Sequence, residues 1–109
     1  MSTAQLDPPL AGVRILDAST GPMTAIGRLY ADLGARVTVL QMPGVTTDDA
    51  VGPHVASVPV QTAINRHGLP VVEVDASTPQ GRRQFDALLT DTDIFIESTT
   101  PGSSAEATT

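Results

Sequence analysis

The stretch "GVRILDASTGPMTAIGRLYADLGARVTVLQ", Gly12 to Gln41, passes from an apolar run to a glycine turn, then to a helical repeat and back to an apolar run. Val13 to Asp17 is short, rich in branched residues and bounded by Gly12 and by "STGP", as a strand buried in a parallel sheet reads. Ser19 or Thr20 suits a helix N-cap, and Pro22 suits the first turn, where its missing N–H would have been unpaired anyway. Ala25, Ile26, Leu29 and Leu33 recur at helical spacing and predict the buried face of that helix, which Gly34 closes as a C′ glycine. Arg36 to Gln41 predicts a second strand, with Val37 and Val39 on one face and Thr38 and Leu40 on the other.

From Met42 to Gly68 the periodicity fails, punctuated by Pro43, Gly44, Gly52, Pro53 and Pro59, and only Val60 to Arg66 suits a helical turn or two. A connection this long is uncommon in a compact domain unless it serves a function or covers a partner. "LPVVEVDAS", Leu69 to Ser77, predicts a third strand. Pro79 opens a second helix with Thr78 as N-cap and Phe85, Leu88 and Leu89 as its apolar face. Asp93 to Glu97 predicts a fourth strand. The expected organisation is one domain over residues 1–102 and a flexible polar tail over 103–109.

Strands alternating with helices predict right-handed βαβ units: an α/β, Rossmann-like open parallel sheet of about four strands in the order 3-2-1-4. In such a sheet ligands sit beyond the carboxyl ends of the strands, near the switch point between strands one and four. That places attention on Ala18 to Gly21 and Ser98 to Gly102.

At 109 residues the chain suffices for one domain, which buries roughly 65% of its unfolded surface. Its net charge is −6, and all six basic residues are Arg, so no patch can neutralise a run of phosphates; this excludes nucleic acid as a partner. With no cysteine there is no disulfide framework, thiolate metal site or thiol nucleophile, in keeping with a reducing cytosol. The N-terminus lacks the basic start and apolar run of a signal peptide, and the uncharged run Ala50 to Asn65 is shorter than the ~20 residues of a membrane span. The expectation is a cytoplasmic protein with no membrane partner.

Several residues with chemical potential read more simply as structure. Asp17 and Asp75 suit turn caps that satisfy backbone N–H groups. Asp48 and Asp49 have no further ligands nearby, and His54 and His67 are too isolated for zinc, so no metal is expected. Ser19 lies in "ASTG", not in a G-x-S-x-G elbow. Arg82 and Arg83, opening the second helix, read as surface residues. A dinucleotide site needs G-x-G-x-x-G after strand one and an acid closing strand two, but here five residues separate Gly21 from Gly27, and Gln41 stands in the acid's place.

Five pieces in order resemble family III CoA transferases, the CaiB/BaiF type, which also includes formyl-CoA transferases and α-methylacyl-CoA racemases. They are P-L-x-G-x-R-(I/V)-L-D at Pro9 to Asp17, A-D-L-G-A at Ala31 to Ala35, Asn65–Arg66, D-x-x-(S/T)-P-x-G-R at Asp75 to Arg82, and Pro101–Gly102. The resemblance covers Pro9 to Gly102. It implies a Rossmann-like half that binds coenzyme A at the carboxyl ends of its strands, followed in the family by a long chain that interlocks with a second subunit. By position, contacts to coenzyme A or an acyl-CoA fall at Thr20, Gly21, Met42, Val74, Ser98, Thr99 and Ser103, with Arg66 in reach of a phosphate.

The departures from the family pattern concern charge. Gln41 replaces a usual Glu; Asn65 to Pro70 reads N-R-H-G-L-P where the family writes N-R-x-K-R-S; Ser98 and Thr99 replace an Asn and an aromatic; and Glu106 replaces a frequent Arg. The turn after strand one is also about one residue shorter. In the family, transfer of CoA between carboxylic acids runs through an aspartate that lies beyond Thr109, and the racemases' His/Asp pair lies beyond it too. The resemblance therefore implies a CoA-binding portion, a piece of a longer chain or a short divergent relative, that is inactive alone. The alternative is a non-catalytic module that pairs with a full-length transferase or other subunit, or as a homodimer.

Overall fold

Arg14–Ala18 forms β1, and four of its five residues are buried. A strand buried on both faces belongs in the middle of a sheet, and β1 lies there, paired in parallel with β2 (Arg36–Gln41) on one side and with the last strand on the other. The structure, a computed structural model, describes residues 6–43, 53–55, 58–99 and 101–102, with only the backbone at 58–59.

Between β1 and β2 a 3₁₀ turn, Gly21–Met23, carries Pro22 at its start and leads into α1, Thr24–Asp32. Thr20 occupies the N-cap position of that turn but makes no side-chain cap bond; its groups are engaged elsewhere. Gly34 follows α1 with φ +101°, and a Cβ there would run into the Pro8 ring, so glycine both closes the helix and admits the incoming N-terminal segment. Leu10 N–H donates to Leu33 O at 2.9 Å beside it.

In the long connection, β3 (His54–Val55) and β4 (Val58–Pro59) form a short antiparallel pair, and α2 spans Val60–Arg66 as expected. β5 covers only Val71–Glu73, not the whole of Leu69 to Ser77. It is an edge strand paired with β2 alone, entered through Pro70 and left through a turn at Asp75 to Ser77. Single bonds, Val39 N–H to Pro70 O at 2.8 Å and Val74 N–H to Gln41 O at 3.0 Å, extend that pairing at both ends. α3 spans Pro79–Thr90 with Thr78 Oγ1 accepting from Gly81 N–H at 3.0 Å, the N-cap the sequence predicts. β6, Ile94–Glu97, completes an all-parallel sheet in the order β5-β2-β1-β6, which is the expected 3-2-1-4 once the short pair is set aside.

The two faces of the sheet pack differently. On one, Phe85 of α3 is fully buried among Leu16, Ala18, Leu40, Met42 and Val74, with Leu88, Leu89 and Phe95 against them. Its ring meets Phe95 edge-on, centroids 5.6 Å apart. On the other, Ile15, Ala35 and Val37 pack with Leu10, Tyr30, Ala31 and Ile96. Here α1 departs from expectation: Ala25 is exposed and Leu29 is 56% exposed, while Thr24 and Gly27 are buried. The helix turns its small residues to the sheet because Asp17 rises beneath it and leaves no room for a Cβ at position 27.

The expected tail at 103–109, Ser103 and Glu106 within it, and Asp48 and Asp49 lie outside the described residues. Among the described residues no helix is long and apolar enough to cross a membrane.

Candidate functional site

The carboxyl ends of β1, β5 and β6 carry the same local device. At or just beyond each strand end an acid is followed two positions later by a hydroxyl residue, and the carboxylate takes both the backbone N–H and the hydroxyl of that residue. At β1, Asp17 Oδ1 accepts from Ser19 N–H at 2.9 Å and Ser19 Oγ–H at 2.5 Å. Just beyond β5, Asp75 Oδ1 accepts from Ser77 N–H at 3.0 Å and its hydroxyl at 2.5 Å. At β6, Glu97 Oε2 accepts from Thr99 N–H at 2.8 Å and from the Thr99 hydroxyl. The Ser77 hydroxyl and N–H hold the Asp75 carboxyl below the ordinary range, and those of Thr99 do the same for Glu97. The identical tripeptide Asp-Ala-Ser at 17–19 and 75–77 was the sequence signal for this repetition.

Asp17 is the buried member of the three, 1% exposed, closed over by α1 at Gly27. It is a turn cap, as its position suggests, and Asp75 is another.

Two elements from far along the chain converge on the Ser19–Gly21 turn. From β6, Ser98 Oγ accepts the Thr20 N–H at 2.9 Å and lies 3.3 Å from Thr20 Oγ1, joining residues 78 apart in sequence. From α2, Arg66 Nη2 donates to Ser19 O at 2.5 Å. The neighbouring Asn65, buried, donates through Nδ2 to Thr24 Oγ1 at 2.9 Å, and Thr24 Oγ1–H donates to Gly21 O at 2.8 Å. Thus α2 holds two carbonyls of the turn, one directly and one through Thr24. Arg66 Nε is buried without a hydrogen-bond partner among the described residues, which is costly for a guanidinium N–H.

The structure therefore brings Thr20, Gly21, Arg66, Ser98 and Thr99 to one end of the sheet. Met42 and Val74 end their strands there too, but their side chains lie in the apolar core with Phe85. The Val74 N–H is spent on Gln41 O. Arg82 and Arg83 lie on α3, where Arg82 pairs with Asp86 at 3.6 Å and sits over the Phe85 ring. Sequence reasoning did not single out Asn65 as a clasp on Thr24, because that contact spans 41 residues and no local pattern encodes it.

The model of CoA-transferase family III matches residues 10–108. In fold, the chain is similar to the crystal structure of Rv3272 from Mycobacterium tuberculosis in its orthorhombic form, with a TM-score of 0.73 and 26% identity over 91% of this chain and 29% of that one. A second crystal structure, titled hypothetical protein Rv3272, matches with a TM-score of 0.69 and 27% identity over 93% of this chain and 28% of that one. A CaiB/BaiF family protein from Brucella suis shares the fold at 24% identity and a TM-score of 0.65, over 89% of this chain and 27% of its own. The chain thus spans under a third of the length of these solved chains. No curated protein matches it.

Proposed function

Because the chain belongs to CoA-transferase family III, we propose that its strand ends form the coenzyme A-binding portion of an enzyme that moves CoA between carboxylic acids. The observation that carries this reading is the convergence of β6 and α2 on the Ser19–Gly21 turn, with a guanidinium N–H buried beside it and unpartnered among the described residues. In this reading Arg66 meets a phosphate oxygen. Thr20, Gly21, Ser98 and Thr99 line the path of the pantetheine arm, and Met42 and Val74 contribute main chain only. Ser103, outside the described residues, belongs to the same segment by position.

The chain's own part is binding and orientation. Acyl transfer through a protein carboxylate needs one that is free to attack. Asp17 is buried under Gly27 with two donors on one oxygen, and Asp75 and Glu97 each hold a turn. None of these is assigned the nucleophile's role, and the chain by itself transfers no CoA. Asp75 and Glu97, both held ionised, sit at the rim and weaken attraction for a polyanion, so affinity rests chiefly on Arg66 and neutral contacts.

The alternative is a non-catalytic module that pairs with a full-length transferase or other subunit. It is favoured by Leu29 and Ile64, which stand 56% and 58% exposed on α1 and α2.

An amide NMR titration with coenzyme A tests the first reading. Saturable shifts confined to Gly21, Arg66, Val74, Ser98 and Thr99, with no CoA transfer between two acyl groups by the same sample, are expected. No saturable shift up to millimolar coenzyme A leaves the module reading; turnover by the chain alone overturns the assignment of roles.

A further inference from the structure

At the opposite end of the sheet, two arginines lie side by side. Register places Arg14 on β1 directly beside Arg36 on β2, and Leu16 beside Thr38 one step further in. Like charges adjacent on a ladder destabilise it unless something neutralises them. Arg14 has its counter-ion: Nε and Nη2 both reach the Asp93 carboxylate at 3.3 Å, and the Arg14 backbone N–H donates to the same group at 2.8 Å. Among the described residues Arg36 has none, and neither its guanidinium nor the Thr38 hydroxyl makes a hydrogen bond or ion pair there.

Between these groups and α3 lies a groove of about 250 Å³, lined also by the apolar Leu16 and Leu88 and by Asp91. It lies at the amino ends of β1 and β2, whereas the turns described above lie at the carboxyl ends.

We propose that this groove is a second binding site, for a small monocarboxylate with a short apolar tail. The carboxylate lies between Arg36 and the Thr38 hydroxyl, relieving the arginine pair by a charge-assisted hydrogen bond. The tail lies along Leu16 and Leu88. At about 250 Å³ the groove falls below the ~300–1,000 Å³ of drug-sized sites, which limits the tail to a short one. Asp91 and Asp93 stand at the same end, so a second negative charge on the ligand meets repulsion, and dicarboxylates and phosphate bind less well. Nothing in this depends on the coenzyme A reading.

The test is an amide NMR titration of the 109-residue chain at neutral pH with sodium hexanoate, with hexanol and succinate as comparison ligands. Expected are saturable hexanoate shifts at Leu16, Thr38, Leu88 and Thr92, with the other two ligands roughly fivefold weaker or worse. Arg36→Gln, at an exposed position, weakens hexanoate by about tenfold or more, as loss of a charge-assisted pair should. Leu88→Phe, which narrows the groove and leaves both arginines in place, also weakens it. The proposal is overturned if hexanol matches hexanoate, if succinate binds as well, if Arg36→Gln keeps full affinity, or if the shifts gather elsewhere.

Discussion

Gly27 permits the burial of Asp17, and the pair shows how one missing methyl group shapes the site. The Asp17 carboxylate organises the Ser19 turn from below, and α1 closes over it only because position 27 carries no side chain. Gly27→Ala sets two effects against each other. Alanine favours a helix interior by about 1 kcal/mol over glycine. Its Cβ, however, would be 3.1 Å from Asp17 Cγ and closer still to Oδ2, so the helix must lift or the carboxylate must turn away from Ser19. Overpacking of this kind costs about 1–3 kcal/mol, and disturbing a buried hydrogen-bonded carboxylate costs about as much again. The expected net result is destabilisation by about 1–5 kcal/mol in urea unfolding. A variant as stable as wild type would mean that the contact is not tight. At this scale much of the site was legible: Asp17 and Asp75 read as turn caps from their flanking residues, and Asn65–Arg66 stood out as a motif. The pairings Ser98–Thr20 and Arg66–Ser19 were not legible, because each joins residues that only the sheet order brings together.

The two long helices tested periodicity in opposite ways. In α3 the apolar stripe of Phe85, Leu88 and Leu89 is the face that packs, against Leu16, Ala18, Leu40, Met42 and Val74. In α1 an equally regular stripe, Ala25, Ile26, Leu29 and Leu33, is exposed at Ala25 and Leu29 and only half-buried at Ile26 and Leu33. The helix has a second, quieter stripe of small residues, and the close approach over Asp17 selects that one. Periodicity reports that a helix is amphipathic; which face is buried depends on what lies opposite. The contrast predicts unequal costs. Phe85→Ala should destabilise by about 3–5 kcal/mol, since it empties the centre of the larger cluster. Leu29→Glu, at a site 56% exposed, should stay within about 0.5 kcal/mol of wild type. Thermal or urea unfolding of the two variants checks this, and comparable losses would mean that Leu29 is covered. The short β3–β4 pair was not legible, whereas the strands of the parallel sheet were legible to within one residue, except β5. Its run of apolar residues extends past the three that pair, since an edge strand needs only one partner's worth of ladder.

At the scale of the molecule, the described carboxylates with shifted titration share one direction. Asp93 is held below the ordinary range by the Arg14 hydrogen bonds, Asp75 by Ser77 and Glu97 by Thr99. A group whose folded pKa lies below its unfolded value contributes stability that is present above the unfolded value and lost as pH falls through the folded one. The urea midpoint should therefore be level from pH 7 to about 5 and decline below about pH 4, the ordinary carboxylate value. Asp93→Asn should shallow that decline; an unchanged slope would show that the Arg14–Asp93 pair, exposed on both sides, contributes nothing measurable. That same pair fastens the first strand to the last across 79 residues. A ribosome adding about 5–20 residues per second takes roughly 4–16 s to cover that interval. For all of it, the strand at the centre of the finished sheet has an open flank, and this protein's most buried segment spends its first seconds as an unguarded edge.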